Sequence, residues 1–305
     1  MKPRIILAGG SGFVGKALTP LLLGRDYEVV VLTRASSSQT GDVRYAQWDG
    51  KTIGEWAKLA DGAKAIVNLT GRSINCRHTP ENRREIIESR VDSVQVLGKA
   101  ITQCSQPPEV FVQAAGVGIY GESGDRWCDE DSPHGTDFVA EVCERWEAAF
   151  AAVEAPATRK VLLRLGVALG PDGGFLKVLS TLTRWFLGGQ AGDGRQFVSW
   201  IHLADLTGMF MWGIDDANIT GIFNAAAPNP VSNAELMQEL RRVLHRPWSP
   251  PVPEFAIRLG AALMGTEPSL ALTSQRCTPR HFLETDFKFD FPELRPALTN
   301  IYPRL

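Results

Sequence analysis

Short apolar runs alternate with amphipathic stretches through the first half of the chain. Arg4–Ala8 is almost wholly apolar and ends at glycine, the pattern of a strand buried on both faces of a parallel sheet. Phe13, Ala17, Leu18, Leu21 and Leu22 then recur at helical spacing, and Pro20 inside that pattern predicts a kink or an early stop. Glu28–Thr33 is a second buried strand. Val43–Gln47, Ala63–Leu69, Val110–Ala115 and Lys160–Leu165 read as further strands, and Ser36–Ser38 as loop. Thr79–Gln103 and Phe138–Val153 read as helices; Ile87, Val91, Val94 and Ile101 put one face of the first against a sheet. Strands alternating with helices predict parallel pairing through right-handed crossovers, and so a doubly wound α/β sheet.

After Gly170 the alternation loosens. Segments 172–188, 203–214 and 232–245 are predicted helices, Gln196–Ile201 and Gly221–Asn224 are predicted extended, and prolines are frequent from Pro247 onward. The chain therefore divides into a Rossmann-like nucleotide-binding part, 1–170, and a smaller, mainly helical cap, 171–305, interleaved with the last sheet strands. A chain of 305 residues buries enough surface, roughly 75% of it, to stand without disulfides or metal.

Charge and cysteine usage narrow the class. Thirty-two basic against 34 acidic residues give a net charge of −2, which argues against a nucleic-acid binder. The five cysteines form no CxxC pair and no zinc spacing, so they read as free thiols of a reducing, cytoplasmic compartment. The charged start Met1–Arg4 lacks a signal-peptide pattern, and no apolar stretch reaches the ~18 residues of a membrane span. No membrane partner and no metal are expected.

Gly9, Gly12 and Gly15 stand between a strand and a helix, with a second strand following. That context marks a dinucleotide turn: the first glycine for the tight bend, the second for approach of a pyrophosphate, the third for helix packing. Ser11, Phe13 and Val14 belong to the same turn, where unpaired helix amides meet phosphate. The second strand ends in Thr33-Arg34 and not in the acidic residue that binds an adenosine ribose. Arginine there favours the 2′-phosphate of NADP. One charge-assisted hydrogen bond, about 1.5–3 kcal/mol, corresponds to a preference of roughly ten- to hundredfold.

The chain resembles the extended short-chain dehydrogenases/reductases, the NAD(P)-dependent epimerase/dehydratase superfamily. The segments that carry the likeness are Gly9–Gly15, Val67–Gly71, Val117–Gly121, Arg164–Pro171, Trp200–Leu206 and Phe223-Asn224. Ser89-Arg90, Arg145-Trp146-Glu147, Gly192–His202 and Leu272–Pro279 resemble more narrowly the atypical branch called "epimerase family protein". The resemblance implies NADP as cofactor, held by the glycine turn, Thr33, Arg34, Asp49 toward the adenine, Leu69, Thr70, Gly71, Glu85, Arg90 and, at the nicotinamide end, Ala168. It also implies that the long helices, 79–103 and 138–154, can pair in a homodimer.

Two departures from the family stand out. Ordinary members use a Ser/Thr, a Tyr and a Lys; counted by motif, those positions fall here on Gly116, Val139 and Cys143. The position of a phosphate-gripping arginine near the WIH segment falls on Val198. Tyr120, just past a strand end, is the candidate replacement acid/base. His202 beside Asp205 has a structural alternative, Asp129-Glu130-Asp131 reads as a solvated loop, and Cys143 as a buried hydrophobe. Arg72, Arg77 or Arg195 would hold an anionic substrate. Two functions stay open: an oxidoreductase or epimerase-type enzyme on a small carbonyl or alcohol, and a non-catalytic NADP(H) sensor.

Overall fold

A computed structural model of the chain describes residues 2–171 and 173–303. The apolar runs form strands β1 (Arg4–Ala8), β2 (Glu28–Thr33), β4 (Val43–Gln47), β5 (Ala65–Asn68), β6 (Val110–Gly116), β8 (Arg159–Leu165) and β12 (Gly221–Ala225). Together with the edge strand β3 (Ser38–Thr40) they make one sheet, in the order β12-β8-β6-β5-β1-β2-β4-β3. All neighbours pair in parallel except β3, which runs antiparallel to β4 with Ser38 opposite Tyr45. Ser36 and Ser37 are loop, and the loop reading is corrected only at Ser38, which opens β3. Ser38–Thr40 is wholly exposed and polar, so only its ladder to β4, and no apolar alternation, makes it a strand.

β1 lies between β2 and β5, so the strand order reverses there, and the crevice beyond its carboxyl end is where such sheets bind ligands. Helices α2 (Pro80–Thr102) and α3 (Phe138–Ala151) pack together, and α1 (Phe13–Gly24) packs with α5 (Leu203–Asp215). Local chemistry sets the starts: Thr79 caps α2 by accepting the amide of Asn82, with Pro80 at its first position, and Asp137 caps α3 through Ala140. On α2 the fully buried apolar residues include Ile86, Val94, Leu97 and Ile101, while Ile87 and Val91, assigned to that face, are half-buried. Pro20 does not stop α1, which runs on to Gly24 with Leu18 and Leu22 buried in the core.

The second half of the chain builds a smaller core and returns to the sheet. Leu176 of α4 (Gly174–Arg184), Leu236 and Leu240 of α6 (Asn233–Val243), and Leu294 and Leu298 of α10 (Leu294–Ile301) cluster with Trp200. Position 172, the start of a predicted helix, lies outside the described residues, and residues 185–188 fall beyond the end of α4. Two two-stranded pairs tie the halves, β9 (Val167–Leu169) with β11 (Trp200–His202) and β7 (Trp127–Cys128) with β14 (Arg276–Cys277), and a third, β10 (Phe197–Val198) with β13 (Val231–Ser232), lies within the second half. Helices α7 (Glu254–Met264), α8 (Ser269–Leu272) and α9 (Arg280–Leu283) complete the cap. Among the described residues no helix is long and apolar enough to cross a membrane.

Candidate cofactor-binding site

The turn after β1 is built on absent side chains. Gly9 has φ +75°, and a Cβ there would stand 2.8 Å from the carbonyl carbon of Leu69. A Cβ on Gly15 would stand 2.4 Å from Cα of Gly10, so the third glycine seats α1 on the turn itself. Gly10, not singled out in the motif, is the one that closes on Leu7 and Val31 of the sheet. The amide of Gly12 bonds the Gly9 carbonyl at 3.0 Å, and Gly12 caps α1 without a side chain. The first amides of α1 thus have neither an intrahelical acceptor nor an acidic residue near them, which is an anion-binding arrangement. Ser11 and Gly12 are exposed. The ring of Phe13 is committed elsewhere, against Gly170, Gly173 and Gly174, so Phe13 and Val14 offer backbone to a ligand.

Beyond β2 and β4 lies a cavity of about 470 Å³ lined by Arg34, Gln47, Trp48, Asp49, Thr52, Gly54 and Trp56. The structure thereby brings Arg34 and Asp49 to one place. Arg34 is exposed and makes no ion pair among the described residues. The Thr33 hydroxyl accepts the amide of Ala35 at 3.2 Å and shapes the bend that presents it. Asp49 accepts the amides of Thr52 and Lys51, each at 2.8 Å, and the Thr52 hydroxyl at 2.7 Å. Those bonds hold its carboxyl at about 2, well below the usual range.

The loop after β5 closes the crevice. Asn68, fully buried, donates to Gln113 Oε1 at 3.0 Å and to Ser93 Oγ at 3.2 Å, and accepts the amide of Thr70 at 3.0 Å. These three polar residues escaped sequence reasoning; the available signal was a polar residue ending an otherwise apolar strand. Thr70 Oγ1 is buried with no hydrogen-bond partner. A buried hydroxyl without a partner, a turn cleared of Cβ atoms and free helix amides together fit a dinucleotide diphosphate. Arg90 lies under the loop: it donates to the carbonyls of Arg72 and Ile86, both at 2.9 Å, and its guanidinium sits 4.9 Å from the Trp146 ring centroid. A Cβ on Gly71 would stand 3.0 Å from that guanidinium. Burial lowers the Arg90 pKa, and no carboxylate pairs with it among the described residues.

Several predicted ligands are spent on the protein. Glu85 pairs with Arg72, whose Nη2 also donates to Asn82 at 2.8 Å; the two charges answer each other and do not both face a ligand. Arg77 donates to the Ala262 carbonyl. Arg195 is almost fully exposed on the cap. Ala168 lies half-buried in β9, opposite Ile201.

Tyr120 is corrected as an acid/base candidate. It is buried; its hydroxyl donates to Asn224 Oδ1 at 2.7 Å and accepts from Arg164 Nη1 at 2.8 Å. Arg164, also buried, binds Glu147 with two bonds, 2.9 and 2.8 Å. Burial pushes the phenol further above its usual range despite the nearby cation. His202 and Asp205 are not partners: His202 Nδ1 caps α5 by accepting the amide of Ala204, and Asp205 accepts the amides of Asp290 and Phe291. Asp129 and Asp131 are not simply solvated, since both bind Arg280.

Comparison with known proteins agrees with this geometry. Residues 5–226 match the NAD dependent epimerase/dehydratase family, and residues 252–301 match a domain of unknown function, DUF1731. The chain is 36% identical to the mouse epimerase family protein SDR39U1, over 98% of this chain and 99% of that protein. It is 32% identical to the Bacillus subtilis epimerase family protein YfhF, over 98% and 97%. The crystal structure of human SDR39U1 with NADPH superposes with a TM-score of 0.87 at 34% identity, covering 99% of this chain and all of that one.

Proposed function

The chain belongs to the NAD-dependent epimerase/dehydratase family, and from that membership we propose that it binds NADP(H) and acts as an oxidoreductase or epimerase-type enzyme on a small carbonyl or alcohol. The observation that carries the cofactor choice is Arg34, exposed and without an ion pair among the described residues, lining the cavity beyond β2 where no carboxylate ends the strand. The human relative crystallised with NADPH supports it. The first amides of α1 and Thr70 Oγ1 would hold the diphosphate, Asp49 the adenine side and Arg34 the 2′-phosphate. When bound, the cofactor supplies a hydride.

The usual proton-transfer group is missing on this reading. Counted by motif, the Ser/Thr, Tyr and Lys positions fall on Gly116, Val139 and Cys143: a Cβ on Gly116 would stand 3.5 Å from Cys143 Sγ, and one on the neighbouring Gly118 2.6 Å from Val139 Cγ1. Burial pushes the Cys143 thiol up to about 12, so it stays protonated and unreactive. The Gln275 amide nitrogen, 3.8 Å from the same point, is a polar group there that moves no proton near neutral pH. A proton needed by substrate would come from water. The same vacancy of acid and base favours a second reading, an NADP(H)-responsive regulatory module. The five cysteines are free, in keeping with a reducing, cytoplasmic setting.

The test of the cofactor assignment is a titration of wild type and Arg34→Ala with NADPH and NADH. Wild type should prefer NADPH by roughly ten- to hundredfold and the variant should lose that preference. Equal binding by wild type sinks it. Single turnover of the NADPH-loaded protein with fractionated metabolites then separates enzyme from sensor: oxidation in one fraction favours the enzyme.

A further inference from the structure

Helix α7 carries its apolar stripe outward. Phe255, Leu259 and Leu263 recur every four residues, the spacing that ordinarily marks a core face, yet they are 72, 59 and 81% exposed, and Met264 follows at 66%. Of the helix, only Ala261 is fully buried. A second apolar group stands beside it: Trp185, Phe186 and Leu187 after α4, and Trp248 ahead of α7, Trp185 and Trp248 being three-quarters exposed. The segments are joined through backbone, Val252 donating to the Gln190 carbonyl at 2.8 Å and Gly192 to Val252 at 2.9 Å. The Arg246 guanidinium lies 5.2 Å from the Phe186 ring centroid. Soluble monomers rarely gather so many exposed large apolar side chains in one region without a use for them.

Charge selects the occupant. Lys177, Arg184, Arg242 and Arg258 are exposed in the same two segments, 177–187 and 241–264; Arg242 pairs with Glu239 and Arg258 with Glu254, which leaves Lys177 and Arg184 without a carboxylate among the described residues. The whole chain, by contrast, is at −2. A second copy docking through the same face would set cations against cations. An anionic surface would meet both features at once, tryptophan, phenylalanine and leucine entering the headgroup boundary and the cations reaching phosphates. At 11 residues α7 spans about 16 Å, too short to cross a bilayer and suited to lie in its surface. We propose that the face formed by α7 and residues 185–187 docks on an anionic phospholipid bilayer. The proposal stands independently of the cofactor reading, and it departs from the expectation of no membrane partner because sequence spacing does not tell an outward stripe from a core one.

The experiment is co-sedimentation of the full chain with vesicles of phosphatidylcholine alone and of phosphatidylcholine with phosphatidylglycerol. Binding should require the anionic lipid and weaken with salt. Leu259→Asp with Leu263→Asp should weaken it at least about tenfold, and Lys177→Glu and Arg258→Glu about fivefold each. These positions are exposed, so thermal melting and NADPH affinity should be unchanged and serve as the check on folding. Failure to sediment with either vesicle overturns the proposal. So does sedimentation indifferent to these substitutions, or a dimer, seen by light scattering, that the same substitutions dissolve.

Discussion

Tyr120→Phe separates a structural tyrosine from a catalytic one. The substitution removes one oxygen from a buried chain in which Glu147 holds Arg164, Arg164 donates to Tyr120, and Tyr120 donates to Asn224. Two groups lose a partner. Arg164 Nη1 keeps only the Glu130 carbonyl at 3.1 Å, and Asn224 Oδ1 loses the phenol while its Nδ2 still donates to Thr278. Arg164 keeps the Glu130 carbonyl, so the one group left unsatisfied is Asn224 Oδ1, and an unsatisfied buried group costs about 1–3 kcal/mol. Unfolding entropy near 2.1 cal/mol/K per residue gives a chain of 305 residues about 0.64 kcal/mol/K, and Tm should fall by about 2–5 °C. Urea unfolding read beside NADPH titration is the assay. Stability should drop while NADPH affinity, and turnover of any substrate found, stay within about twofold. Glu147→Ala should be worse, about 3–5 kcal/mol, because it strands a buried guanidinium. A Tyr120→Phe protein as stable as wild type that has lost turnover would refute the structural assignment.

Three more outcomes are expected. Gly15→Ala forces a Cβ to within 2.4 Å of Gly10 Cα and should cost about 1–3 kcal/mol with at least tenfold (~) weaker NADPH binding, whereas Gly24→Ala, with nothing within 4 Å, should do neither. His202 is buried and burial holds its pKa below the usual histidine range; the unfolded chain therefore takes its proton first, so the stability it brings is whole above about pH 6.5 and is lost as pH falls toward the folded value. His202→Asn keeps a helix-capping oxygen without the proton and should flatten that acid limb; Asp205, whose carboxyl burial pushes up, is present in both proteins and cancels. Cys143→Lys would bury a second cation beside Arg90, where the neighbouring Glu147 is already held by Arg164, and should destabilise the chain by about 3–5 kcal/mol; a variant of wild-type stability would show that the ordinary lysine still has room there.

How far the sequence could be read follows from what each feature depends on. β1, β2 and the glycine turn depend on neighbours in the chain, so apolar runs and glycine spacing carry them whole. β3 depends on hydrogen bonds to β4 alone, and three polar residues give no sign of that. The site divides the same way. Gly9 and Gly15 are marked by what they lack, whereas Asn68, Ser93 and Gln113 form one network across 45 residues and look like unrelated polar positions until the sheet sets them together. Tyr120 misleads for a related reason. A tyrosine past a strand end can face ligand or core, and Arg164, 44 residues on, decides it. Arg164 and Glu147 each look like ordinary surface charges in sequence, yet their pairing turns a position near the reacting edge into a fastener between β8, α3 and β12. Val139 and Cys143, where the proposed function puts the usual Tyr and Lys positions, lie on the same helix as Glu147, so on that reading α3 contributes packing on one turn and an ion pair on the next. If water rather than α3 supplies protons to the reacting edge, changes at Val139 and Cys143 should shift stability before they shift any pH–rate profile.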